Sequence, residues 1–232
     1  MTQTLTGRTV VVTGGFGFLG GALAVKLVKE GARVVLVDRS AVPAQALPDV
    51  ALALGGVDLG SPESAGAAFS RIAGELGGID ALVNVAGGFV WETVETGSIE
   101  SWDRMYGMNL RTAVVASQAV LPHLLAKGAG RLVNVGALAA SKAATGMGAY
   151  AASKAGVARL TEALAEELKD KGVTVNAVLP SIIDTPTNRA DMPDADATRW
   201  VSADALAAVI AFLLSDDASA VTGALIPVCG RV

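Results

Sequence analysis

The stretch VVVTGGFGFLGGALAVKLVKEGARVVLVD, Val10 to Asp38, decides the fold. An apolar β-branched run leads into a glycine-rich turn, then a helical pattern, then a second β-branched run. Gly14, Gly17 and Gly20 stand at GxxGxxG spacing, with Phe18 and Leu19 inside the turn. A glycine-rich turn is weak evidence by itself. This one has a strand before it, a helix after it and Asp38 closing the next strand, 18 residues beyond Gly20. Glycines there let the backbone approach a pyrophosphate, and the helix N-terminus supplies free N–H groups and a positive dipole. Asp38 can accept hydrogen bonds from both hydroxyls of a ribose. The stretch therefore predicts a dinucleotide site.

A carboxylate at position 38 repels a 2′-phosphate, so NAD(H) is expected over NADP(H). Arg39 keeps NADP(H) open, because a guanidinium there could stack on adenine or pair with the phosphate; it reads equally as a solvated loop charge. Asp58, taken as the end of the third strand, is placed either to hydrogen-bond the adenine edge or to cap the helix opening at SPES.

Outward from this stretch, short β-branched runs alternate with helical patterns: ALALGGVD, IDALVNVAG, GRLVNVG, VTVNAVLP and ALIPV bring the candidate strands to seven. The runs are nearly continuous in apolar residues, as expected for strands covered on both faces. The expectation is a single-domain Rossmann-type doubly wound α/β fold over residues 1–232, with a mainly parallel seven-stranded sheet. Residues 184–200, DTPTNRADMPDADATRW, read as one irregular substrate-side loop.

With 52% apolar and 17% charged residues, the chain has ample material for a core. Apolar runs such as Ala205–Leu214 are shorter than the about 20 residues a membrane-spanning helix needs. The first residues lack a secretory pattern, and a single cysteine, Cys229, fits a reducing compartment, so a cytoplasmic location is expected. A net charge of -4 without a basic block argues against nucleic acid and anionic membrane surfaces as partners. The remaining partners are a small-molecule substrate and further copies of the chain, because two long helical patterns carry apolar faces suited to a homodimer or homotetramer. His123, the only histidine, has no metal-site or triad partners in the pattern, and no metal is expected.

Tyr150 and Lys154 stand at i and i+4 near the start of a helical pattern, so both emerge on one face. A phenol, with a pKa of about 10, is a poor acid at neutral pH, and a neighbouring ammonium is expected to lower that value. Taken together, TGGFGFLG, NVAG (Asn84 to Gly87), MNL around Asn109 and YAASK resemble the short-chain dehydrogenase/reductase family in order and spacing. The resemblance implies that Tyr150 delivers a proton and that Lys154 binds the nicotinamide ribose and tunes Tyr150. It implies further that Asn109 holds a water, that Asn84, Ala86 and Gly87 line the cofactor, that Thr185 meets the carboxamide, and that Pro180 turns the chain under the ring.

Three positions depart from the family pattern: Phe18 and Ser181 stand where glycines are usual, and Ala137 stands where the catalytic serine is usual. Removing a donor of this type costs roughly 10²- to 10³-fold in rate. Ser141 and Thr145 lie in the same loop and read as surface hydroxyls. The segments VAGGF, GALAA, GMGAY and DTPTNRADMPDAD with Trp200 resemble the dihydropteridine reductase-like branch, which also carries alanine at the serine position.

The expected activity is hydride transfer to or from an activated C=N or C=O group, with a quinonoid dihydropterin as one such substrate. A general carbonyl or diketone reductase, an alcohol dehydrogenase, and a catalytically weak dinucleotide sensor or scaffold are the alternatives. Phe89, Trp91, Met147, Met192 and Trp200 are the candidates to line a flat substrate.

Overall fold

The structure, a computed structural model, describes residues 4–43 and 46–232. The elements follow in the order β1 (Thr9–Thr13), α1 (Phe18–Lys29), β2 (Arg33–Val37), β3 (Leu52–Leu54), α2 (Pro62–Leu76) and β4 (Ala81–Asn84). Next come α3 (Ile99–Met105), a π-helical segment (Tyr106–Arg111), α4 (Thr112–Lys127), β5 (Gly130–Val135) and α5 (Gly148–Leu168). The chain finishes with β6 (Val173–Pro180), α6 (Pro186–Asp191), α7 (Ala203–Leu214) and β7 (Leu225–Val228).

The strands form one sheet in the order β3-β2-β1-β4-β5-β6-β7, and every pairing is parallel. Side-chain alternation within each strand divides the core. Val10, Val12, Val34 and Leu36 pack with α1 and α7 on one face. Val11, Val35 and Val37 pack with α2, α4 and α5 on the other. Covering both faces explains why the strands are apolar at consecutive positions rather than at alternate ones. Strand order reverses between β1 and β4, and a doubly wound sheet opens its ligand crevice at the carboxyl ends of such strands.

Three expectations need correction. The third strand ends at Leu54 rather than Asp58, because Gly55 and Gly56 let the chain leave the ladder and Asp58 falls in the following loop. Nor does Asp58 cap the next helix: Ser61 is the N-cap, its Oγ accepting from the Ser64 amide. Residues 184–200 are not irregular, since Thr185 caps α6 and Asp196 opens a short 3₁₀ turn at Ala197–Arg199. A bridge between Ile183 and Val201 pins the two ends of that segment together. Among the described residues, no helix is long and apolar enough to cross a membrane.

Candidate active site

The turn between β1 and α1 forms the floor of a cleft of about 570 Å³. Gly14, Gly17, Phe18, Leu19 and Gly20 line it together with Asp38, Arg39, Asp58, Ala86 and Gly87. Gly14 has φ +65, and a Cβ there would stand 2.9 Å from the Ala86 backbone; a Cβ on Gly20 would stand 2.3 Å from the Gly14 carbonyl. No side chain caps the N-terminus of α1, so its first N–H groups have no intrahelical partner. Such a floor of bare backbone and helix dipole fits the pyrophosphate of a dinucleotide.

Phe18 is tolerated where the family pattern has glycine. Among the described residues no non-glycine residue has positive φ, so position 18 needs no left-handed backbone, and its ring is 42% exposed. Asp38 accepts from the Phe16 amide at 3.0 Å through Oδ2 and from the Ser40 amide at 2.9 Å through Oδ1. Each carboxylate oxygen keeps acceptor capacity for a ribose hydroxyl.

Asn84 does not line the cleft. Its side chain is buried and donates to Asn134 Oδ1 at 2.9 Å and Ser117 Oγ at 3.3 Å, tying β4 to β5 and α4. The wall is made instead by Val85, Ala86 and Gly87. Thr13 Oγ1 holds that segment by accepting from the Val85 and Ala86 amides.

The opposite wall was not legible beforehand: Arg104, Gly107, Met108, Arg111 and Thr112 supply it from α3, the π-helical segment and the start of α4. Arg111 Nε donates to the Gly60 carbonyl at 2.9 Å, tying this wall to the loop between β3 and α2. The only signal nearby was the MNL motif, because one inserted residue in a helical turn leaves little trace in hydrophobic period.

Two of the candidate catalytic residues, Asn109 and Lys154, meet at the shoulder of Gly87. A Cβ on Gly87 would lie 2.5 Å from Asn109 Oδ1 and 3.4 Å from Lys154 Nζ. Asn109, in the π-helical segment, accepts from the Gly88 amide at 2.9 Å and donates to Gly88 O and Ser153 Oγ, each at 3.0 Å. Ser153 in turn donates to the Tyr150 carbonyl at 2.7 Å. Ser153 escaped the sequence reading because it sat inside YAASK as a spacer.

The expected tuning of Tyr150 by Lys154 is corrected. Lys154 Nζ donates to the Val135 carbonyl at 2.8 Å, and burial pushes its pKa down to about 8. Burial pushes Tyr150 up to about 12. Desolvation dominates both groups, since each loses water without gaining a charged partner.

Ala137 is buried at the end of β5 and starts a 3₁₀ turn at Leu138–Ala140. Ser141 and Thr145 lie exposed beyond it, as surface hydroxyls. Pro180 is buried at the end of β6, paired with Val228, and Thr185 Oγ1 accepts from the Asn188 amide as the α6 cap. Neither lines the cleft floor described above. Ser181 uses its hydroxyl where a glycine is usual, donating to the Cys229 carbonyl at 2.7 Å.

The substrate candidates divide. The Phe89 ring meets Tyr150 edge-on, with centroids 5.0 Å apart and planes at 87°. Trp91 is exposed and lies against Gly146, next to Met147, the N-cap of α5. Met192 ends α6, half-buried. Trp200 is 7% exposed, so it anchors the end of the 184–200 segment and offers a ligand little surface.

The family model described as short chain dehydrogenase matches residues 8–196. The 3-oxoacyl-acyl-carrier-protein reductase FabG of Vibrio cholerae is 33% identical over 239 residues, covering 98% of each chain. The D-threitol dehydrogenase of Mycolicibacterium smegmatis is 35% identical over 238 residues, covering 95% of this chain and 90% of its own. Among solved structures, a carveol dehydrogenase from Mycobacterium avium in complex with NAD superposes with a TM-score of 0.86 at 26% identity, covering 98% of both chains.

Proposed function

The chain belongs to the short-chain dehydrogenase family and is an oxidoreductase; from that premise we propose a reductase that uses NADH to reduce an activated C=N or C=O group, with Tyr150 as the proton donor. The observation that carries the reading is geometric: Lys154 Nζ and Asn109 Oδ1 both stand at Gly87 in the cleft wall, and Tyr150 lies one turn before Lys154 on the same face of α5. A bound nicotinamide would supply the hydride. Tyr150 donates its proton to the nitrogen or oxygen of the double bond whose carbon takes that hydride, so the π bond breaks as a C–H and an N–H or O–H bond form. Lys154 spends one N–H on Val135 and keeps two donors beside Gly87 for ribose hydroxyls. Asn109 and Ser153 hold this geometry from behind.

The acceptor we favour is a quinonoid dihydropterin. Its reduction spreads charge over several ring heteroatoms and demands less localised oxyanion stabilisation than a simple ketone, which suits alanine at position 137. The resemblance of GMGAY and DTPTNRADMPDAD to the dihydropteridine reductase-like branch supports this choice. A general carbonyl or alcohol substrate is the second reading, favoured by the activities of the reductase and dehydrogenase relatives.

NADH oxidation with freshly generated quinonoid dihydropterin, run with the wild type and Ala137→Ser, separates the two. Turnover well above background, changed less than about threefold by the serine, supports the pterin reading. No turnover, together with a gain on cyclohexanone of about 10²-fold, would establish the carbonyl reading instead.

NAD(H) preference is part of the proposal and rests on Asp38 facing the cleft; NADPH binding as tightly as NADH would overturn it. So is a cytoplasmic homo-oligomer, which a sharp monomer peak in light scattering would contradict.

A further inference from the structure

The wall beside Tyr150 contains an unusual contact. Gly146 has φ +75, and a Cβ built on it would stand 2.2 Å from Trp91 Cε2 and 2.3 Å from Nε1. The indole therefore lies directly on the Gly146 backbone, in space that no other residue would leave. The Glu92 amide donates to the Gly146 carbonyl at 2.8 Å and fixes the height of the chain that carries the indole. Trp91 is nonetheless 61% exposed, so much of the ring away from this seat is open. A turn further along, Tyr150 at the start of α5 meets the ring of Phe89 edge-on, and Phe89 is itself 52% exposed.

Large aromatic rings on a protein surface cost solvation, and one clamped to backbone has already lost most of its rotamer freedom. It can receive a flat partner at little further entropic cost. Phe89, two residues before Trp91, and Met147, next to Gly146, carry side chains without strong hydrogen-bonding atoms. A polyol gains no hydrogen bond from these side chains, whereas a conjugated ring covers apolar area both on itself and on the indole.

We propose that Trp91, seated on Gly146, is the specificity-determining wall of the substrate site and stacks one face of a planar conjugated ring whose reacting atom lies at Tyr150. The inference rests on the reductase reading for the placement of the reacting atom. The stacking itself is measured without turnover.

The test is binding of two planar probes, oxidised biopterin and 2-naphthol, against D-threitol, in the presence of NAD. It is read as quenching of tryptophan emission and by calorimetry. The wild type is expected to bind the planar probes at least tenfold more tightly than threitol. Trp91→Ala should lose that preference, Trp91→Phe should recover part of it, and Gly146→Ala should reproduce the loss by pushing the indole off its seat.

Planar probes binding within twofold of wild type in Trp91→Ala would overturn the proposal, as would planar probes no tighter than threitol in the wild type. Conversion of Trp91→Ala to a monomer by light scattering would also overturn it and make the ring part of a contact between copies. Intact planar binding in a protein that turns over no acceptor would instead sink the reductase reading and leave the stacking wall standing.

Discussion

The two ends of the site tolerate departures from the family pattern very differently. The nucleotide end lost a glycine at Phe18 and keeps its shape, because it works through backbone: free N–H groups at the start of α1, the bare Gly14 and Gly20, and a carboxylate held by two amides. A side chain that points into solvent leaves those features intact. The catalytic end has Ala137 where the family pattern has serine, and there the side chain is the feature. No change of backbone replaces a hydroxyl. Binding by backbone is robust to sequence drift, whereas chemistry by side chain is altered one residue at a time.

The sharpest way to break this comparison is Tyr150→Phe. If the catalytic end depends on single side chains, turnover should fall about 10²- to 10⁴-fold while NADH affinity stays within about threefold. A loss below tenfold in steady-state kinetics would remove Tyr150 from the chemistry.

The next test concerns burial. With its folded pKa lowered to about 8 from 10.5, Lys154 makes the unfolded chain bind more protons between those values, so stability should rise with pH across that window. Relative to Lys154→Met, the wild type should gain up to about 3 kcal/mol from pH 8 to 10.5. Tyr150 acts oppositely and higher: the folded state keeps a proton that the unfolded chain releases, so its contribution is lost from about pH 10 to about 12. Denaturant melts of wild type and variant over this range check both signs, and parallel curves would mean that Lys154 is hydrated.

The smallest effect is expected at the nucleotide end. Gly20→Ala forces a Cβ against the Gly14 carbonyl and should weaken NADH about tenfold, a cost near 1.4 kcal/mol. Fluorescence titration alongside a thermal melt separates cradle from fold. Unchanged affinity would show that the turn yields and that backbone shape is not what binds.

Much of this site was legible in the chain. Val10 to Asp38 already contained strand, turn, helix and acidic partner in the order a dinucleotide needs, because those contacts are local. The i, i+4 placement of Tyr150 and Lys154 is likewise a property of any helix. Asn84 was misplaced because a motif names a position and not the direction of its side chain; the direction came from Asn134 and Ser117, 50 and 33 residues away. Trp200 looked like a ligand surface for the same reason, an aromatic in a polar stretch whose burial depends on the rest of the fold.

The amino-acid sequence by itself determined the parallel doubly wound sheet, the glycine cradle and the placement of Tyr150 and Lys154 on one helix face, since apolar period, turn chemistry and helix spacing act over a few residues. Only the tertiary structure decided the burial of Tyr150 and Lys154, the π-helical wall with Arg104 and Arg111, and the seat of Trp91 on Gly146. Each of these arises where segments distant in the chain exclude water from one another, and desolvation has no signature in the order of residues alone.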